Sequence, residues 1–144
     1  MVDDDDDDIV IDKLRYINEY TNDLKQIRGM SKQQYVDDII VKRAVERTFM
    51  NLIQSCIDLA QHIRASEGLS PSGTAKNEIE SLGIAGILSP KVQEQVEKTV
   101  GFRNILAHRY GDVNHDIVYG VLHDDLYWFD QFQQEIAQWY QKLE

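Results

Sequence analysis

The chain has 144 residues, with 25 Asp and Glu against 15 Lys and Arg, a formal charge of −10, one cysteine and two prolines. A chain of this length makes one domain that buries roughly 68–70% of its unfolded surface; Cys56 has no partner for a disulfide framework, and no apolar run approaches the roughly 20 residues of a membrane span. The N-terminus lacks the basic and apolar regions of a signal peptide, so the expectation is a soluble cytoplasmic protein, and the charge by itself argues against a nucleic-acid partner.

Six of the acids form one run, Asp3 to Asp8, and without them 19 acidic residues face 15 basic ones, a balance of −4. Such a run repels itself and buries no apolar surface, so residues 1–8 are expected to be a disordered acidic tail and residues 9–144 one helical domain. From Ile9 to Arg28, Val10, Leu14, Ile17, Leu24 and Ile27 recur at helical spacing, and Gly29 ends the element. Ser31 and Gln34 form a capping-box pattern that opens a long second helix, whose stripe runs from Val36, Ile39, Ile40, Ala44 and Met50 to Ile63, with Gly68 as its stop. Leu69 to Leu88 reads as loop, a short helix near Ala75 to Leu82, and loop.

Ser89-Pro90 places a capping hydroxyl before a proline at the first helical position. The third long helix carries Val92, Val96, Val100 and Ile105, with Gly111 just past its end. Asn114 caps a last helix bearing Ile117, Val121, Leu126, Phe129, Phe132, Ile136, Trp139 and Tyr140. No segment alternates with period two. The expected fold is all-α, an up-and-down bundle of four to five helices.

The densest polar cluster of the domain is Arg103-Asn104-Ile105-Leu106-Ala107-His108-Arg109-Tyr110. Seven positions put Arg103 and Tyr110 nearly on one helix face; Asn104 and His108 share an adjacent face, and Arg103 and His108 lie about 140° apart on an ideal helix. They converge only if the helix end distorts or a second subunit contributes. The set suits phosphodiester cleavage without a metal. A histidine takes a proton from a ribose 2′-hydroxyl or returns one to the leaving oxygen, and an arginine holds the phosphate bidentately through the pentavalent transition state. Asn104 can orient either partner, and Tyr110 adds a hydroxyl. The structural alternative is a helix end whose Arg and His complement the dipole. Arg43 and Arg47, four apart on the second helix and close to its predicted apolar stripe, either pair with Asp37, Asp38 or Glu46 or line a phosphate-binding cleft beside the third helix.

Arg103 and His108 with four residues between them, Asn104 after the arginine and Tyr110 two past the histidine resemble the R-x4-H-x-Y motif of HEPN-domain toxins, closest to the HepT branch. The run Lys42-Arg43-Ala44-Val45-Glu46-Arg47, its continuation Ile57-Asp58-Leu59-Ala60-Gln61-His62-Ile63, the Gly-rich connector and the Phe102-Arg103-Asn104 lead-in are similar to that branch too, so the resemblance extends from Ile9 to the C-terminus. It implies a homodimeric all-α toxin of a toxin–antitoxin pair, with motif helices facing across a cleft and metal-independent endoribonuclease activity on RNA; which RNA does not follow from the sequence, tRNA being a natural guess. Arg103 and His108 would be catalytic, with Asn104, Tyr110, Arg43, Arg47 and Arg109 supporting or binding RNA. The partner would be a minimal nucleotidyltransferase (MNT) antitoxin, MntA-like, that silences the toxin by transferring AMP to Tyr110. The alternative is a non-catalytic helical module that holds such a partner and is modified by it. The aspartate run is no part of the family pattern.

The remaining constellations carry little chemistry. His108, Asp112, His115, Asp116, His123, Asp124 and Asp125 match no metal-ligand spacing, so no metal is expected. Cys56 reads as core packing, as do the aromatic residues from Tyr127 to Tyr140. No phosphate-cradling glycine motif is present, so no cofactor is expected in this chain. The local density of Arg43, Arg47, Arg103 and Arg109 predicts a basic cleft within an acidic surface.

Overall fold

In the computed structural model, residues 4–71, 73–107 and 113–143 are described, and among them every regular element is a helix. The order is α1 (Asp4–Ile27), α2 (Lys32–Asp37), α3 (Ile39–Ser66), α4 (Ala75–Ile84), α5 (Pro90–Leu106), α6 (His115–Asp124) and α7 (Leu126–Lys142). The long helices close a ring in chain order: α1 packs on α3, α3 on α5, α5 on α7 and α7 on α1. The short α4 covers α3 and α5, while α2 and α6 bridge at one end. No helix is long and apolar enough to cross a membrane among the described residues.

The predicted apolar stripes explain most of this core. Val10, Ile17 and Leu24 of α1 are buried, and Thr21 joins them because its hydroxyl donates to the Ile17 carbonyl at 2.7 Å. The capping box forms as its spacing predicts: Ser31 Oγ accepts from the Gln34 N–H at 3.1 Å, and the Gln34 side chain accepts from the Ser31 N–H at 2.9 Å. Gly68, with φ +68°, closes α3 by sending the Leu69 N–H back to the Arg64 carbonyl at 2.9 Å, the left-handed turn that glycine adopts without a Cβ penalty.

The α1 backbone is helical from Asp4. Three sequence expectations are corrected. The second helix is interrupted at Asp38 (φ −109°, ψ 100°), whose carboxylate accepts from the N–H groups of Ile40 and Val41 at 3.1 Å and so starts α3 afresh. The last helix breaks likewise at Asp125, and the phase resets there: Val118 and Leu122 are buried in α6 in place of the predicted Ile117 and Val121. Ser89 precedes Pro90 as predicted, but its hydroxyl makes no cap. Its Oγ and N–H instead donate to Glu135 of α7 at 2.8 and 2.7 Å, fastening the start of α5 to its neighbour.

Candidate functional site

The last turn of α5 is oriented by what it buries. Phe102 packs edge-to-face on Phe49 of α3, with centroids 5.3 Å apart, and Leu106 is buried one turn on. With those two side chains inward, Arg103 is left half-buried and Asn104 exposed. The Arg103 guanidinium reaches α3, where its Nη1 donates to Gln54 Oε1 at 2.8 Å. Gln54 Nε2 in turn donates to Asp58 Oδ1 at 2.9 Å, and Asp58 lies 3.6 Å from the Lys13 ammonium of α1. Arg103 therefore ends a chain of two hydrogen bonds and one ion pair across three helices, and no carboxylate pairs with it among the described residues.

Arg43 and Arg47 do not lie beside the buried stripe of α3. That stripe is Val45, Phe49, Leu52, Ile53, Cys56, Leu59, Ala60 and Ile63, whereas Ile39 and Ile40 are 51% and 75% exposed and Ala44 is exposed too. The apolar residues at the start of α3 misled the wheel, since the break at Asp38 sets the helix in a different phase from the one Val36 implies. Both arginines consequently stand on the solvent face. Arg47 and Gln54, seven positions apart, fall within about 20° of each other and roughly 10 Å along the axis. Helical spacing thus puts Arg43 and Arg47 on the same face of α3 as Gln54, the residue that Arg103 meets.

Arg43 is held by Glu46, with Nη1 3.0 Å from Oε1, one of the pairings its spacing predicts. Glu46 also lies 3.5 Å from His115 Nε2, while His115 Nδ1 shares a hydrogen bond of 2.9 Å with the buried Tyr35 hydroxyl. Burial, with Glu46 nearby, pushes the Tyr35 phenol well above its ordinary range, so this hydroxyl stays protonated. His115 is therefore engaged in a polar cluster joining α2, α3 and α6, and His123 contacts Asp124 at 3.0 Å; among the described residues no group of three or more potential metal ligands converges. Cys56 is fully packed, and burial drives its thiol far above the reactive range.

Arg103 and Asn104 also form one wall of an open cleft of about 490 Å³ between the start of α4 and α5, lined further by Thr74, Lys76, Glu94 and Lys98. His108, Arg109 and Tyr110 lie outside the described residues. Gln54 and Asp58, which carry the contact to Arg103, were not singled out by the sequence.

The model of the HepT-like ribonuclease family matches residues 17–136. The mRNA nuclease HepT of Shewanella oneidensis is 28% identical over 125 residues, spanning 87% of this chain and 93% of the relative. The tRNA nuclease HepT of Aphanizomenon flos-aquae is 28% identical over 111 residues, 77% of this chain and 76% of the relative. The solved structure of the tri-AMPylated Shewanella oneidensis HEPN toxin in complex with its MNT antitoxin superposes with a TM-score of 0.83 at 27% identity, covering 91% of this chain and 98% of that one. With the family model reaching into each of the four ring helices, this chain belongs to the HepT-like ribonuclease family.

Proposed function

We propose that Arg103 and His108 are the catalytic pair with which this ribonuclease cleaves RNA, and that it works as a cytoplasmic homodimer. The observation that carries the reading is Arg103 itself: the motif arginine is delivered to the arginine-bearing face of α3 with its charge uncancelled by any described carboxylate. His108, five positions on, removes the proton of a ribose 2′-hydroxyl, whose oxygen attacks the adjacent phosphorus. The 5′-oxygen leaves with a proton, and the product carries a 2′,3′-cyclic phosphate. Arg103 donates to the non-bridging oxygens, where charge accumulates in the pentavalent transition state. Asn104 and Tyr110 support this step, and Arg43, Arg47 and Arg109 hold the flanking phosphates. None of these steps calls for a metal.

The angular separation of Arg103 and His108 favours a dimer in which two motif helices face each other and complete each site from both chains. Relatives named for mRNA and for tRNA cleavage support RNA as the substrate class. The tri-AMPylated relative in its antitoxin complex supports an MNT-type partner here that transfers AMP from ATP to the Tyr110 oxygen with release of pyrophosphate. A phosphate-bearing adduct would fill a phosphate-binding cleft and offset its arginines.

His108→Ala, purified free of partner, is expected to lose RNA cleavage and growth inhibition while keeping the wild-type helical spectrum. Unchanged cleavage would instead favour a non-catalytic module that only holds the nucleotidyltransferase. Incubation with antitoxin and ATP should add whole multiples of one AMP mass to the wild type; a Tyr110→Phe chain gaining the same mass would refute the assignment of Tyr110.

A further inference from the structure

We infer that Gln54 is a positioning residue for RNA cleavage: its neutral amide fixes the Arg103 guanidinium over the α3 face without cancelling its charge. The inference rests on the catalytic reading of Arg103. Gln54 Oε1 accepts the Arg103 Nη1 proton at 2.8 Å, which occupies one of five guanidinium donors and leaves the others for a phosphate. The amide is itself held, because its Nε2 donates to Asp58 Oδ1 at 2.9 Å and Asp58 is drawn toward Lys13, 3.6 Å away. That second contact sets which way the amide faces: only its oxygen is left to meet the arginine.

The division of labour has a physical reason. A flexible arginine on a surface samples many rotamers, and a phosphate that must order it forfeits binding free energy in doing so. A carboxylate in place of Gln54 would hold the guanidinium more firmly but would compete with the phosphate for it. The charge at this point is already relayed outward, with the anion of the chain, Asp58, one residue removed from the arginine and paired on its far side with Lys13. The arrangement combines a defined position with an undiminished positive charge.

The test compares Gln54→Glu and Gln54→Met in the full chain, beside Arg103→Ala, by single-turnover cleavage at saturating RNA, by RNA affinity at several salt concentrations and by thermal melting. Gln54 is exposed, so both variants are expected to melt within a few degrees of the wild type. Gln54→Met, without the acceptor, is expected to cleave about tenfold more slowly. Gln54→Glu, with a stronger contact but a neutralised arginine, is expected to lose about tenfold or more in rate and to flatten the salt dependence of RNA binding by about one counterion. A purely structural contact would leave Gln54→Glu as active as the wild type, since the glutamate keeps it. A wild-type rate from either variant overturns the inference. If Arg103→Ala is inactive while the Gln54 variants are not, the positioning role alone fails; if Arg103→Ala itself cleaves normally, it is the catalytic reading that fails.

Discussion

Arg64 and Arg103 both join a neighbouring helix to α3, with opposite chemistry. Arg64 meets Glu78 of α4 at 2.6 Å, with the two side chains only 12% and 8% exposed, and it also reaches the Leu69 carbonyl. Its charge is cancelled where it would otherwise be stranded in a low dielectric. Arg103 meets a neutral amide in a partly solvated position and keeps its charge. The partner's charge separates an arginine that holds the fold from one that is available to a phosphate.

Exchanging the partners is the strongest way to break that comparison. Glu78→Gln gives Arg64 the kind of partner Arg103 has, in a place where the arginine cannot stay uncompensated. It is expected to destabilise the fold by about 3 kcal/mol, as breaking a buried pair does, and to lower the melting temperature by roughly 6–12 °C. RNA cleavage measured well below that transition should be unaffected. A loss under about 1 kcal/mol would mean that the buried pair is no more than a surface contact.

A smaller effect tests whether the start of α5, and through it Arg103, is anchored by Glu135 instead of a helix cap. Glu135→Ala removes the acceptor of both Ser89 bonds and is expected to cost about 1–2 kcal/mol in urea denaturation. Ser89→Ala, which loses only the hydroxyl bond, should cost less. Equal costs would assign the anchoring to the hydroxyl alone.

The smallest effect concerns Asp125, where α6 gives way to α7. Burial first, then the neighbouring Asp124, holds its carboxyl above the ordinary range, against the pull of Lys98. The folded state therefore binds this proton more tightly than the unfolded chain, and ionising the group at neutral pH costs stability. The Asp125 side chain makes no cap bond to α7. Asp125→Asn is accordingly expected to be slightly more stable than the wild type at neutral pH, with the advantage vanishing as the pH falls through the carboxylate range. Denaturation midpoints at neutral pH and at about pH 3 measure the difference, and an advantage that grows in acid would contradict the assignment.

What could be read before folding follows the same physics. The α1 stripe of Val10, Ile17 and Leu24, the Ser31–Gln34 box and the glycine stop at Gly68 depend on residues within a few positions of each other, and all three were legible. The breaks at Asp38 and Asp125 were not, because an apolar periodicity runs through both aspartates: at Asp38 it masks a capping carboxylate, and at Asp125, which makes no side-chain cap, only the packing of α6 and α7 shows the break. That hidden break also put Arg43 and Arg47 on the wrong side of α3, beside a stripe that is in fact exposed. Arg103 was conspicuous in its motif. Gln54, an exposed glutamine without a pattern of its own, acquires meaning only when Phe102 and Phe49 dock α5 against α3.

The central claim is that Arg103 is kept charged for catalysis and not for stability, and Arg103→Ala tests it most directly. The measurement is the single-turnover RNA cleavage rate of the partner-free variant, with its melting temperature taken on the same preparation. A fall of at least about a hundredfold in rate, with the melting temperature unchanged, is the predicted result. A wild-type rate, or a loss of activity that merely tracks a loss of fold, would contradict it.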